Sequence, residues 1–398
     1  CLCGEEQKKR STTAAGRETD MSWRCLSASV EDESQPFPRN GQCGVVSSVT
    51  QGFIVGFGFM LDFLAPSYFA DLYHYDFASQ EWTKLYGGEK GPCARVEASV
   101  AEVDGKLYLL GGYNQLKGSL EYFQDLWCYD PATHSWAKLS EELVPGFLPR
   151  VGVELVGVGS DLFGFFGYAA IGDGNIYFDD IIRFDFEAGN WVSISVQGDA
   201  PAPRNGHSVA AVGRKVYLYG GYNETVPGKY LGDLWAFDLD TLTWEQVESL
   251  GVAPIPRHST GMVASSDGAS LFLCGGMANK VYLNDVWKLD LASKEWSQAV
   301  FQIPTPPESQ PSETEGKDGD EVVGPSGVQD EAKRLRTSDA VLSPRAFHTV
   351  ALWNGTLVVF GGYGSSEEGQ EGLYFGDLWS FPLGEGVEWK FEEIPEAS

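Results

Sequence analysis

The sequence predicts an all-β fold, a six-bladed propeller of four-stranded antiparallel blades, and three series of residues predict it. Tryptophan recurs at Trp82, Trp136, Trp191, Trp244 and Trp296, at intervals of 54, 55, 53 and 52 residues, with Trp389 as a sixth copy. An arginine, mostly as Pro-Arg, precedes each of them at Arg39, Arg95, Arg150, Arg204, Arg257 and Arg345. Between the two stands a strand that ends in Gly-Gly or Phe-Gly, at Gly58, Gly112, Gly167, Gly221, Gly276 and Gly362. A unit of about fifty residues that holds register this way cannot bury its apolar face alone and has to stack against copies of itself.

Within a unit the elements follow in order. An aspartate opens the third strand at Asp71, Asp125, Asp180, Asp233, Asp285 and Asp377, and five residues later comes Asp76, Asp130, Asp185, Asp238 or Asp290, with Pro382 in the last copy. In the fourth copy the strands read HSVAAV, VYLYGG, DLWAFD and TWEQV. The second of these is apolar on both faces, as a strand sandwiched between neighbouring blades must be, and its terminal glycines permit close backbone approach. Aromatic side chains of the third and fourth strands fill the wedge between blades.

Gly-Gly, then an aromatic, then Trp at a set distance resembles the kelch repeat over roughly 36–300 and 342–398. Copies one and three depart from the pattern, with Phe57-Gly58 and Phe166-Gly167 in place of Gly-Gly, and copy three has Ile182 where Trp is usual. The resemblance implies a kelch β-propeller over 36–398, of the kind also found in a copper oxidase of galactose.

Two stretches fall outside the repeat. Residues 1–35 form an N-terminal extension in which Trp23 to Leu26 has the look of a closing fourth strand near 22–27. The last copy offers a competing fourth strand at Glu388 to Ile394, so six blades are expected, with a seventh left open. Between blades five and six, 301–343 is acidic and rich in Pro, Ser and Gly; it buries too little apolar area to offset its ordering entropy and is expected to be disordered. It carries a short basic cluster, Lys333-Arg334-Leu335-Arg336, which reads as a solvated charge run or as a nuclear-import motif.

Antiparallel connectivity places the arginine series and the residues just after each glycine pair on one face of the disc. That loop face should carry the six arginines, with Phe59, Tyr113, Tyr168, Tyr222, Met277 and Tyr363 beside them. Two readings of the arginines stay open. In one, each bonds loop carbonyls of its neighbouring blade and stabilises the ring; in the other, two or three present guanidinium forks to a carboxylate of a bound peptide. Kelch domains capture acidic peptides on this face, so the resemblance implies ligand-binding residues Arg39, Arg95, Arg150, Arg204, Arg257 and Arg345, with Tyr113, Tyr168, Tyr222 and Tyr363 as rim anchors. The acidic insertion would then be able to fold back over the same arginines.

Composition narrows the function. Against 28 Lys+Arg stand 56 Asp+Glu, a net charge of −28 that repels nucleic-acid phosphate and anionic membrane surfaces. Seven cysteines without framework spacing suit a reducing compartment, and no apolar run is long enough to cross a membrane. A cytoplasmic chain is expected, or a nuclear one if the basic cluster acts. Only His207 and His348 of the five histidines share an equivalent position, on blades that are not adjacent, so no metal site and no cofactor are expected. The once-per-blade aspartates read as strand-end and turn residues. The expected function is a non-catalytic protein-interaction module, a scaffold or substrate-recruiting subunit, with no catalytic residues; the alternative is a sugar-acid epimerase-like or metal-dependent enzyme on the same propeller. A monomeric propeller is expected.

Overall fold

A computed structural model describes residues 23–28, 34–61, 65–172, 174–299, 342–365, 372–383 and 389–390. The regular elements among them are β-strands, and no helix among them is long and apolar enough to cross a membrane. Six sheets carry the repeat. Blade 4 runs Ser208–Val212, Lys215–Tyr222, Tyr230–Asp238 and Thr243–Gln246, each strand antiparallel to the one before it. Blades 1, 2, 3 and 5 repeat that order within 43–86, 96–140, 154–194 and 261–299.

The first strands, Cys43–Val46, Val96–Val103, Glu154–Val158, Ser208–Val212, Gly261–Ala264 and Thr349–Trp353, each lie against the next, and the last lies against the first. The blades therefore surround a common axis. An apolar core fills each of the six junctions among the described residues. The periodic tryptophans work there. Trp136 meets Phe57 edge-on at 6.0 Å, Trp244 meets Phe165 at 6.1 Å, and Trp296 meets Tyr219 at 5.7 Å. In each case a fourth strand reaches back onto the second strand of the preceding blade. Trp82 of blade 1 does the same to Phe360 of blade 6, at 5.6 Å.

The second aspartate of each repeat makes the hairpin between strands three and four. Asp76 Oδ1 accepts the N–H groups of Ala78 and Ser79 at 2.7 and 2.8 Å, a turn held by its own side chain. Asp185, Asp238 and Asp290 repeat it. Pro382 cannot, and there the pattern changes. The fourth strand of blade 6 is Arg24–Ser27, from the N-terminal extension, paired antiparallel with Leu378–Pro382. The expected fourth strand at Glu388 to Ile394 is corrected: its described part, Trp389–Lys390, pairs with Glu295–Ala299 and adds a fifth strand to blade 5.

Of the interval expected to be disordered, 301–341 with the basic cluster lies outside the described residues, as do 1–22. Its end does not: Leu342 is fully buried in the core between blades 5 and 6. The two departures from Gly-Gly also have a physical reading. Phe57 and Phe166 keep the left-handed backbone of the glycines they replace, at φ 62° each, a conformation that costs about 1 kcal/mol or more for a non-glycine residue. Both rings are buried, Phe57 against Trp136 and Phe166 against Trp244 at 5.9 Å, so added packing offsets the strain.

Candidate functional site

The arginine series is sealed inside the loop face. Arg39, Arg95, Arg204, Arg257 and Arg345 have 0% exposure and Arg150 has 3%. Each guanidinium meets the aspartate that opens the third strand of its own blade. Arg95 donates to Asp125 at 2.7 and 3.2 Å, to the Gly111 carbonyl at 2.9 Å and to the Cys93 carbonyl at 3.0 Å. Arg204 repeats the set on Asp233, Gly220 and Ala202, and Arg257 on Asp285, Gly275 and Ile255. A phenylalanine covers the flat face of four of them, as Phe123 does for Arg95 at 4.1 Å. The main chain ties the same residue to the preceding blade: Arg95 N–H donates to the Phe69 carbonyl, and Gly58 N–H donates to the Arg95 carbonyl.

This corrects the expected ligand-binding role of Arg39, Arg95, Arg150, Arg204, Arg257 and Arg345. Their donors are spent on aspartates and loop carbonyls, and no fork is left for a peptide carboxylate. The reading in which each arginine stabilises the ring is the one the geometry supports. Burial opposes ionisation of Asp125 and Asp233, but the hydrogen bonds and charge of their arginines and the indole N–H of Trp127 or Trp235 outweigh it, and both pKa values lie below the ordinary carboxylate range. Asp180 goes the other way: burial prevails over Arg150 and raises it. Blade 3 has Ile182 where blades 2, 4, 5 and 6 offer an indole, so this carboxylate lacks the donor that theirs have.

Tyr113, Tyr168, Tyr222 and Tyr363 are half-buried, and Tyr168 and Tyr222 line the axial cavity described below. Each faces a second aromatic across a short hairpin: Tyr113 pairs with Tyr122, Tyr168 with Tyr177, Tyr222 with Tyr230 and Tyr363 with Tyr374, while Phe59 pairs with Tyr68 and Met277 with Tyr282. Sequence reasoning missed the second member. Its signal was present, because each stands three residues before the strand-opening aspartate. Ring contacts also cross between blades, Tyr177 to Tyr222 at 6.5 Å and Tyr282 to Tyr363 at 5.8 Å.

Inside the rim lies an axial cavity of about 260 Å³, lined by residues of all six blades. Below it a second space of about 220 Å³ continues between the first strands, sharing Gln42, Ser99, Glu154 and His348 with the first. The residue two after each arginine lines the upper cavity and is left-handed in every blade: Gly41, Gly152 and Gly206 in three, but Glu97 (φ 56°), Ser259 (φ 50°) and Phe347 (φ 56°) in the others. Main-chain hydrogen bonds link these positions around the axis, Glu97 to Gly41, Gly41 to Phe347, Phe347 to Ser259 and Ser259 to Gly206.

Two carboxyl groups face this space. Burial pushes Glu97 up to about 7. Glu154 is also pushed to about 7, by burial first and then by the charge of Glu97, against a long hydrogen bond from Ser99 at 3.5 Å. Around them stand neutral histidines. Burial, and then Arg204 or Arg345, lowers His207 and His348 to about 3, and burial alone lowers His258 to about 4. Several buried polar atoms lack a partner: Gln42 Oε1, Asn205 Oδ1, Nδ1 of His348 and the two ring nitrogens of His207, one a donor and one an acceptor in the neutral ring. Among the described residues no three His, Cys, Asp or Glu side chains gather closely enough to hold a metal ion.

The sign of the pH dependence follows. A carboxyl whose folded pKa is raised destabilises the fold increasingly as pH climbs from the unfolded value near 4.5 through about 7. Glu97→Gln is therefore expected to raise Tm by roughly 1–3 °C at pH 8 and to change it little at pH 4.5. Scanning calorimetry checks this, and equal shifts at both pH values refute it.

The family model for the KLHDC2/KLHL20/DRC7 Kelch-repeats domain matches residues 3–146 and 141–314. Acyl-CoA-binding domain-containing protein 4 of Arabidopsis thaliana is 27% identical over 237 residues, 57% of this chain and 34% of that protein. Rab9 effector protein with kelch motifs of Rattus norvegicus is 33% identical over 219 residues, 52% of this chain and 54% of that protein, and its Homo sapiens counterpart is 31% identical over 215 residues, 52% and 55%. The chain thus spans between a third and just over half the length of these relatives. With six antiparallel sheets in one circuit and a Kelch-repeats match over most of its length, the chain belongs to the kelch-repeat family.

Proposed function

We propose that this chain is a non-catalytic protein-interaction module that holds a segment of a partner protein across the loop face, on the aromatic rim that surrounds the axial cavity. The observation that carries this reading is the set of half-buried cross-strand aromatic pairs, one pair in each of four blades, two of which reach the axial cavity through Tyr168 and Tyr222. Tyrosine offers a large amphipathic surface at small entropic cost and is enriched at energetic centres of interfaces. Relatives named as Rab9 effectors are named for serving a protein partner, which supports the class of function without supplying the partner here.

The test is affinity purification of the full chain with mass spectrometry, followed by titration of any captured partner. Tyr168→Ser with Tyr222→Ser is expected to weaken that partner about tenfold or more. Thr241→Lys, on the exposed turn at the opposite face, is expected to leave it unchanged. A partner lost with Thr241→Lys and kept by the folded tyrosine variant overturns the assignment of face.

A further inference from the structure

The lining of the axial cavity carries two carboxyl groups and no Lys or Arg side chain. Its two carboxyl groups belong to different blades, Glu97 at the start of blade 2 and Glu154 at the start of blade 3. Glu97 holds a left-handed backbone that three other blades give to glycine, so a strained carboxylate stands where the fold needs no side chain. An independent observation points to a missing donor. His207, Gln42 and His348 line the same cavity with exposures of 2%, 6% and 8%, and each retains a ring nitrogen or amide oxygen with no hydrogen-bond partner. Buried polar groups are normally satisfied, and one left without a partner carries a desolvation penalty. The arginines that would have made the region cationic are neutralised one by one by their aspartates.

Resting on the reading above that a partner segment lies on the rim, we infer that this segment inserts a lysine or arginine side chain into the axial cavity, its charge meeting Glu97 and Glu154 and its alkyl stem lying along Tyr168 and Tyr222. An ammonium or guanidinium group supplies donors and no acceptor, which is the complement of this lining. A cavity of about 260 Å³ accepts one long side chain. The net charge of −28 draws basic segments in from a distance. Burial raises both carboxyl groups to about 7, and an incoming cation favours their ionised forms, so binding should expel protons.

The experiment uses the full chain and defined probes: N-acetyl-lysine methylamide and N-acetyl-arginine methylamide, against N-acetyl-norleucine methylamide and ammonium chloride. Calorimetric titration at pH 7, in buffers of different ionisation enthalpy, is expected to show saturable binding of a basic probe with proton release, and norleucine binding at least about tenfold weaker. The Glu97→Gln/Glu154→Gln variant is expected to lose about tenfold in affinity together with the proton release. Glu97→Gly, which adopts the residue of three other blades, guards against misfolding and should also weaken binding. Equal binding of norleucine, unchanged affinity in the folded double variant, or no binding of either basic probe overturns the inference. Ammonium chloride competing as well as the lysine probe overturns the side-chain assignment. These outcomes are separate from the rim test: a partner lost on rim substitution with no uptake of basic probes defeats only the cation, and uptake without a rim-dependent partner defeats the interaction module.

Discussion

Replacing Arg95 by methionine is expected to destabilise the fold by about 3–5 kcal/mol, the range for removing one partner of a buried ion pair. The substitution keeps most of the aliphatic volume but strips Asp125 of both guanidinium bonds and leaves the Gly111 and Cys93 carbonyls without their donor. Only the Trp127 indole, at 2.7 Å, still serves the carboxylate. The effect should depend on pH. In the native pair the lowered pKa of Asp125 contributes stability that is present above the unfolded value of 3.8 and is lost as pH falls through the folded value. Without Arg95 burial dominates, the pKa rises, and the ionised acid opposes folding at neutral pH. The loss measured by urea denaturation should therefore be largest at pH 7 and shrink towards pH 4. Adding Asp125→Asn should restore part of it. A loss that ignores pH, or a double variant no better than the single, would show that the pair is not what holds the loop.

Trp23→Ala is expected to destabilise by a similar amount, about 3–5 kcal/mol for a large core aromatic. Trp23 has 1% exposure, lies 5.2 Å from Phe381, and belongs to the core between blades 5 and 6. The strand it introduces also reaches blade 1, where Trp82 donates to Ser27 Oγ at 3.1 Å and Tyr75 to the Leu26 carbonyl at 3.4 Å. One segment thus bridges the seam where the chain returns to its beginning. Loosening it should expose the edge of Leu378–Pro382, so hydrogen exchange should accelerate there before it does in Ser208–Val212 of blade 4. Uniform acceleration across all blades would mean that Trp23 supports the ring only through global stability.

Much of this was legible in the sequence, for a physical reason. Stacked copies share junctions, so residues that make junctions recur, and the tryptophan, glycine and aspartate series showed through. The arginines recurred for the same reason. Their narrow range of distances from the aspartate series, 28 to 32 residues over the six blades, was the sign that the two were paired rather than presented to a ligand. The competition between Trp23 and Trp389 turned on Pro382, which lacks the side-chain acceptor that folds the other outer hairpins. Glu97 and Glu154 escaped because each occurs once. A reading based on repetition averages over such residues, and in a repeat protein those are the positions free to differ from blade to blade.

The burial of Leu342 beside Ala299 has a practical outcome for anyone altering the chain. Both residues are fixed in one core, and Asn284 Nδ2 clasps the Leu342 carbonyl at 2.8 Å, so the 42 residues numbered 300–341 begin and end at neighbouring anchors. By loop-closure entropy, lengthening the chain between two such points costs only about 0.6 kcal/mol for each doubling. A fluorescent reporter or an affinity handle grafted within that interval is accordingly expected to cost the fold little stability.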